Sequence, residues 1–81
     1  MPAGIELLEV LESFDPITEQ KEFIVVYRIT EDSKEVMTNN FSIMESELKK
    51  AGIPLDLLIE KKLKEILEIY KKSKPMRVRV L

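Results

Sequence analysis

The stretch EFIVVYRIT, residues 22–30, constrains the fold of this chain more than any other. Apolar side chains occupy both faces of this stretch when it is extended, and most are aromatic or β-branched, which is typical of strands. One face carries Phe23, Val25, Tyr27 and Ile29, and the other carries Ile24 and Val26. Because both faces are apolar, we expect a central strand that is covered on at least one side.

A hairpin follows from the next residues. EDSK is a polar turn, and EVMTNNF can return as a shorter antiparallel strand. Residues 22–41 are therefore predicted to form a β-hairpin.

Two helices are predicted after the hairpin, over residues 43–51 and 54–72. SIME resembles a capping box in which Ser42 is the N-cap and Glu45 reaches back. KKAGIPLD then ends one helix and begins the next. Gly52 suits the left-handed position past the first helix, and Pro54 suits the first turn of the second.

The second helix is the longest predicted element, at about 28 Å. Its apolar residues recur at helical spacing and form one stripe. The stripe comprises Leu55, Leu58, Ile59, Leu63, Ile66, Ile69 and Tyr70. After SKP, the stretch MRVRVL alternates between apolar and basic residues, which predicts a strand over 76–81.

The N-terminal stretch IELLEVLESF, residues 5–14, fits two interpretations. Most of its apolar residues fall on one side of a helix, and the glutamates fall on the other. Strict alternation fits less well, because Leu7–Leu8 and Val10–Leu11 are adjacent apolar pairs. However, no good N-cap precedes Ile5. We favour a helix here, with a strand as the alternative.

Together these elements predict a single α+β domain over residues 1–81, with a small antiparallel or mixed sheet and both helices packed on one face. A chain of 81 residues is too short for a second core. The abundance of Glu and Lys and the scarcity of Asn and Gln are typical of heat-adapted proteins.

Composition limits the chemistry. The chain has no His and no Cys, so the usual general base, thiolate nucleophiles and the commonest transition-metal ligands are missing. With two glycines it lacks a glycine-rich phosphate loop. We therefore expect no catalytic residue, no metal and no cofactor. The N-terminus has no cationic start and no stretch is apolar enough to span a membrane, so we expect a cytoplasmic protein without a membrane partner.

Two local features could in principle carry chemistry. Lys62 interrupts the apolar stripe of the second helix, where a buried lysine could be a nucleophile. We favour a packed stem whose ammonium group reaches solvent or an acid of the first half. The turn EDSKE, residues 31–35, groups three carboxylates, which we interpret as a solvated turn because cation-binding loops need more oxygen ligands.

The charge is unevenly distributed although the net charge is only −2. Residues 1–47 contain eleven acidic and three basic residues, whereas residues 48–81 contain ten basic and four acidic residues. The two halves could face each other within the fold, meet across a self-association surface, or leave the basic half free for an external polyanion.

The basic C-terminal segment is the candidate interaction surface. It comprises Lys71, Lys72, Lys74, Arg77 and Arg79. These residues could bind consecutive phosphates of a nucleic acid. Yet the sequence pI is about 5.2, and few aromatic residues accompany the bases. We therefore favour a basic sheet edge, since Lys and Arg on a terminal strand also prevent edge-to-edge aggregation.

The sequence thus predicts a non-catalytic module that acts through surface contacts with a second copy of itself, as a homodimer, or with another protein. A nucleic-acid-binding accessory protein that uses the basic C-terminal segment is the second hypothesis. A small-molecule enzyme without His or Cys chemistry is the third.

Overall fold

The computed structural model describes residues 3–73, which form a three-stranded antiparallel sheet with two helices packed against it. The elements are β1 (Ala3–Asp15), β2 (Gln20–Glu31), β3 (Lys34–Met44), α1 (Glu45–Ala51) and α2 (Leu55–Ser73). The predicted α+β class is confirmed. The predicted strand 76–81 lies outside the described residues.

Strand β2 is central, as its two apolar faces predict. The strand order is β1-β2-β3, and both neighbours pair with β2 in antiparallel orientation. Val25, Tyr27 and Ile29 of β2 are buried, whereas the residues between them are only partly covered. The buried face is therefore the one that the helices cover, and we call it the helix side of the sheet. The opposite side is called the open side.

The favoured prediction of a helix over residues 5–14 is wrong, and the strand alternative is right. Those residues belong to β1, which pairs with β2 from Ala3 opposite Glu31 to Asp15 opposite Gln20. The register shifts between Leu7 and Glu9, so Leu8 is an extra residue in a β-bulge. The bulge explains why two apolar residues are adjacent here, a pattern that imitates the helical period.

Each of the two hairpin turns contains a residue in the left-handed region. In the first turn Glu19 has a φ of 57°, and its N–H donates to the Asp15 carbonyl at 2.7 Å. In the second turn Asp32 and Ser33 have φ angles of 53° and 66°. Two successive positive φ angles characterise the type I′ turn, whose twist matches that of the strands it joins.

The predicted capping box at Ser42 is wrong, because β3 continues past it. Ser42 pairs with Ile24, and the ladder runs on to Met44 opposite Glu22. Helix α1 therefore begins at Glu45, and Met44 provides no side-chain cap. Instead, the Ser46 N–H donates to Oε1 of Gln20 at 3.0 Å. A side chain from the start of β2 thus satisfies an N–H group that a local cap would otherwise serve.

The predicted break between the helices is confirmed. Gly52 adopts a left-handed conformation with φ 69°, and its N–H donates to the Leu48 carbonyl at 3.3 Å. Helix α2 begins at Leu55, one residue later than predicted. Pro54 immediately precedes it, and its carbonyl accepts hydrogen bonds from the N–H groups of Leu57 and Leu58.

The core lies between the helix side of the sheet and one face of α2. Three of its residues come from β2, one from β3 and three from α2. They are Val25, Tyr27, Ile29, Ile43, Leu58, Ile59 and Leu63. Helix α1 contributes no fully buried residue, although Leu48 packs against the core from its edge. Strand β1 likewise contributes no fully buried residue, although Ile5 packs against the core; its apolar residues from Leu7 to Phe14 are exposed.

Candidate interaction surface

Strand β1 forms one edge of the sheet, and its outer edge has no partner strand among residues 3–73. Five large apolar residues of β1 are between 38% and 62% exposed. We call them the β1 apolar strip: Leu7, Leu8, Val10, Leu11 and Phe14. Half-exposed apolar residues beside unpaired backbone groups are typical of an edge that pairs with another strand.

The strip reaches both sides of the sheet. Leu7 and Val10 lie opposite Tyr27 and Val25, so they extend the apolar surface of the helix side beyond the core. Leu11 lies opposite Ile24 and therefore faces the open side. Since directly opposed residues share a face of the sheet, a strand added to β1 would cover apolar side chains on both sides.

Three glutamates accompany the strip, and two of them have basic partners on β2. Glu6 accepts from Nε of Arg28 at 2.5 Å, and Glu12 lies 3.3 Å from the Lys21 ammonium group. Among residues 3–73, Glu9 forms no ion pair, and it lies opposite Val26. Strand β1 therefore combines apolar side chains with one carboxylate, Glu9, that has no basic partner within residues 3–73.

Arg28 is a structural cation within the sheet. The hydrogen bond and charge of Glu6 raise the pKa of Arg28, and the Glu35 carboxylate lies 3.8 Å from its Nη1. An open hollow of about 340 Å³ surrounds this group and is lined by residues from all three strands and the second turn. Because two carboxylates already neutralise the guanidinium, the hollow does not offer an anion a free charge.

The basic C-terminal segment is described only at its start. Lys71 and Lys72 are exposed in the last turn of α2, and the Lys71 ammonium group lies 3.9 Å from the Glu68 carboxylate. Cations suit this end of a helix because its free carbonyl groups form a negative pole. Lys74, Arg77 and Arg79 lie outside the described residues, so the predicted basic sheet edge stays a prediction.

Lys62 behaves as the favoured interpretation predicts. Its side chain is 28% exposed, and its ammonium group lies 2.6 Å from the Glu47 carboxylate on α1. The pair links the basic half of the chain to the acidic half. The other ion pairs found among residues 3–73 join residues of the same half.

The acidic turn holds no metal-binding cluster. Across residues 3–73 no group of three or more acidic side chains is arranged to hold a metal ion. Glu35 instead accepts from the Thr38 hydroxyl at 2.8 Å and faces Arg28. Glu35 therefore interacts within the hairpin, whereas the Glu31 carboxylate accepts from the Tyr70 hydroxyl of α2.

Sequence reasoning missed the outer edge of β1 as a surface. As a helix, residues 5–14 would have buried their apolar side in the core, whereas the strand exposes it. The available signal was the pair of adjacent apolar doublets, Leu7–Leu8 and Val10–Leu11. A strand with a bulge accounts for the first doublet and half-burial on two faces accounts for the second.

Comparison with known proteins gives no relatives: no family model, no curated protein and no solved structure matches this chain. The helices within residues 3–73 also include none with the length and apolar character needed to cross a membrane.

Proposed function

We propose that this chain is a non-catalytic module that self-associates as a homodimer through the outer edge of β1. The observation that carries the proposal is the β1 apolar strip, which lies half-exposed along an edge strand of 13 residues. An extended edge of this length, about 40 Å, offers a row of backbone N–H and C=O groups to a second chain.

The composition of β1 supports this use of its edge. Natural edge strands that must stay single are often blocked by Lys or Pro. Strand β1 contains neither, and no Arg. Its bulge at Leu8 and its glutamates restrict which strand can pair there, which favours a selective interface over general aggregation.

The lack of His and Cys and the pairing of three basic side chains with carboxylates support a role without catalysis. The chain contains no His and no Cys. Arg28, Lys62 and Lys21 each have a carboxylate partner that explains their position. The interactions of these groups are those of a stable scaffold that presents a surface.

The proposal is tested by sedimentation velocity over a range of protein concentrations. We expect a dimer for the parent chain. Leu8→Lys places a charge in the β1 edge and should raise the dimer dissociation constant about tenfold or more. Val36→Lys is the matched control: Val36 is the extra residue of a bulge on β3, the opposite edge strand, and is 48% exposed against 46% for Leu8.

The outcomes separate the hypotheses. A parent chain that stays monomeric at all concentrations would refute the proposal. If both variants weaken the dimer equally, the interface does not lie specifically at the β1 edge. Tight, salt-dependent binding of an oligonucleotide by a monomeric parent would favour the nucleic-acid hypothesis.

A further inference from the structure

The charge of β1 determines what kind of strand can occupy its edge. Glu6, Glu9 and Glu12 are the only charged residues of β1 before Asp15, and all are acidic. A second copy of β1 would therefore bring further carboxylates toward Glu9, which has no ion-pair partner among residues 3–73. Like charges on paired strands are destabilising. The complementary strand is one that alternates apolar and basic side chains.

The chain itself contains such a segment. In MRVRVL, residues 76–81, Met76, Val78 and Val80 alternate with Arg77 and Arg79. Between Glu6 and Val10 the edge of β1 has the matching division: Leu7 and Val10 face the helix side, and Glu6 and Glu9 face the open side. A strand with apolar residues on one side and arginines on the other would therefore satisfy both faces in one register.

The last turns of α2 lie at the end of the sheet where β1 begins. The Tyr70 hydroxyl donates to the Glu31 carboxylate, and Glu31 is the partner of Ala3 at the start of β1. Ser73, three residues beyond Tyr70, is the last described residue. Residues 76–81 of each copy are thus joined to a helix that ends near the first residues of β1.

On the basis of the proposed self-association, we infer that residues 76–81 of each copy bind the β1 edge of the other. Arg77 and Arg79 would lie beside Glu9 on the open side, and the apolar residues of the segment would cover Leu7 and Val10 on the helix side. Such a reciprocal exchange gives a closed two-fold dimer in which each interface occurs twice.

A charge-exchange experiment tests this inference with the full chain. One variant carries Arg77→Glu and Arg79→Glu, and the other carries Glu9→Lys. Each variant alone sets like charges against each other, so its dimer dissociation constant should rise about tenfold or more. In an equimolar mixture both interfaces become complementary again, and the heterodimer should form with a dissociation constant within about threefold of the parent value.

The control is a second charge-exchange pair on the exposed face of α2, Glu60→Lys and Lys64→Glu. Both control variants should dimerise like the parent. Circular dichroism of every variant verifies that the fold is retained, so that loss of the dimer is read only from folded protein.

The failure of the inference is distinguishable from the failure of the proposed function. A monomeric parent overturns both. A dimeric parent whose three charge-reversed residues have no effect overturns the exchange and leaves self-association standing. Variants that become monomeric and do not form a heterodimer on mixing also overturn the exchange. That result is expected if the segment binds β1 of its own chain, because a second copy then cannot restore the complementary charges.

Discussion

Replacing Gly52 by alanine isolates the energetic cost of one backbone conformation. Gly52 has a φ of 69°, which L-residues with a Cβ rarely adopt. A Cβ built at this position would meet no atom within 4 Å, so the substitution adds no clash and removes no contact. What remains is the left-handed conformation itself, which costs an alanine about 1 kcal/mol.

We therefore expect Gly52→Ala to lower the free energy of unfolding by about 1 kcal/mol, which corresponds to a fall in Tm of roughly 4–8 °C for a chain of this size. Urea denaturation followed by circular dichroism measures the change. All variants are compared at one protein concentration, because association shifts apparent stability.

Asparagine provides the control for this position. Asn tolerates the left-handed region better than Ala, so Gly52→Asn should lose less stability than Gly52→Ala. If Gly52→Ala is as stable as the parent, or if Asn is the worse replacement, the left-handed end of α1 does not carry the cost assigned to it.

Two further predictions concern polar groups whose roles the structure identifies. Lys62→Met keeps the packed stem and removes an ion pair that is partly exposed, so stability should change by less than about 1 kcal/mol; a loss above about 2 kcal/mol in urea denaturation would indicate a buried polar site. Asp32→Asn combined with Ser33→Gly introduces the residues that type I′ turns prefer and should raise the free energy of unfolding by about 0.5 kcal/mol. A decrease in thermal unfolding temperature would contradict the assignment of that turn.

Local sequence patterns predicted the elements whose own residues supply their main interactions. The two apolar faces of EFIVVYRIT were sufficient to predict that β2 is central and covered on at least one side. The stripe of α2 and the glycine at position 52 predicted the second helix and the break before it, since helix periodicity and a left-handed end are set within a few residues.

The candidate surface was harder to predict, because it depends on partners distant in sequence. Residues 5–14 are compatible with helical spacing, and only pairing with β2 and the bulge at Leu8 make them a strand. The edge position of β1 follows from the strand order, and its apolar strip stays half-exposed although α2 packs next to β1.

The sequence by itself determined the central strand, the long amphipathic helix and the separation of acidic from basic residues. Tertiary structure decided where β3 ends and α1 begins, because the ladder with β2 extends to Met44 and Gln20 supplies a cap from a distant strand. It likewise decided that β1 lies at an edge. In each case the physical reason is the same: backbone hydrogen bonds between segments outweigh weak local preferences, and local patterns contain no information about which segment will supply them.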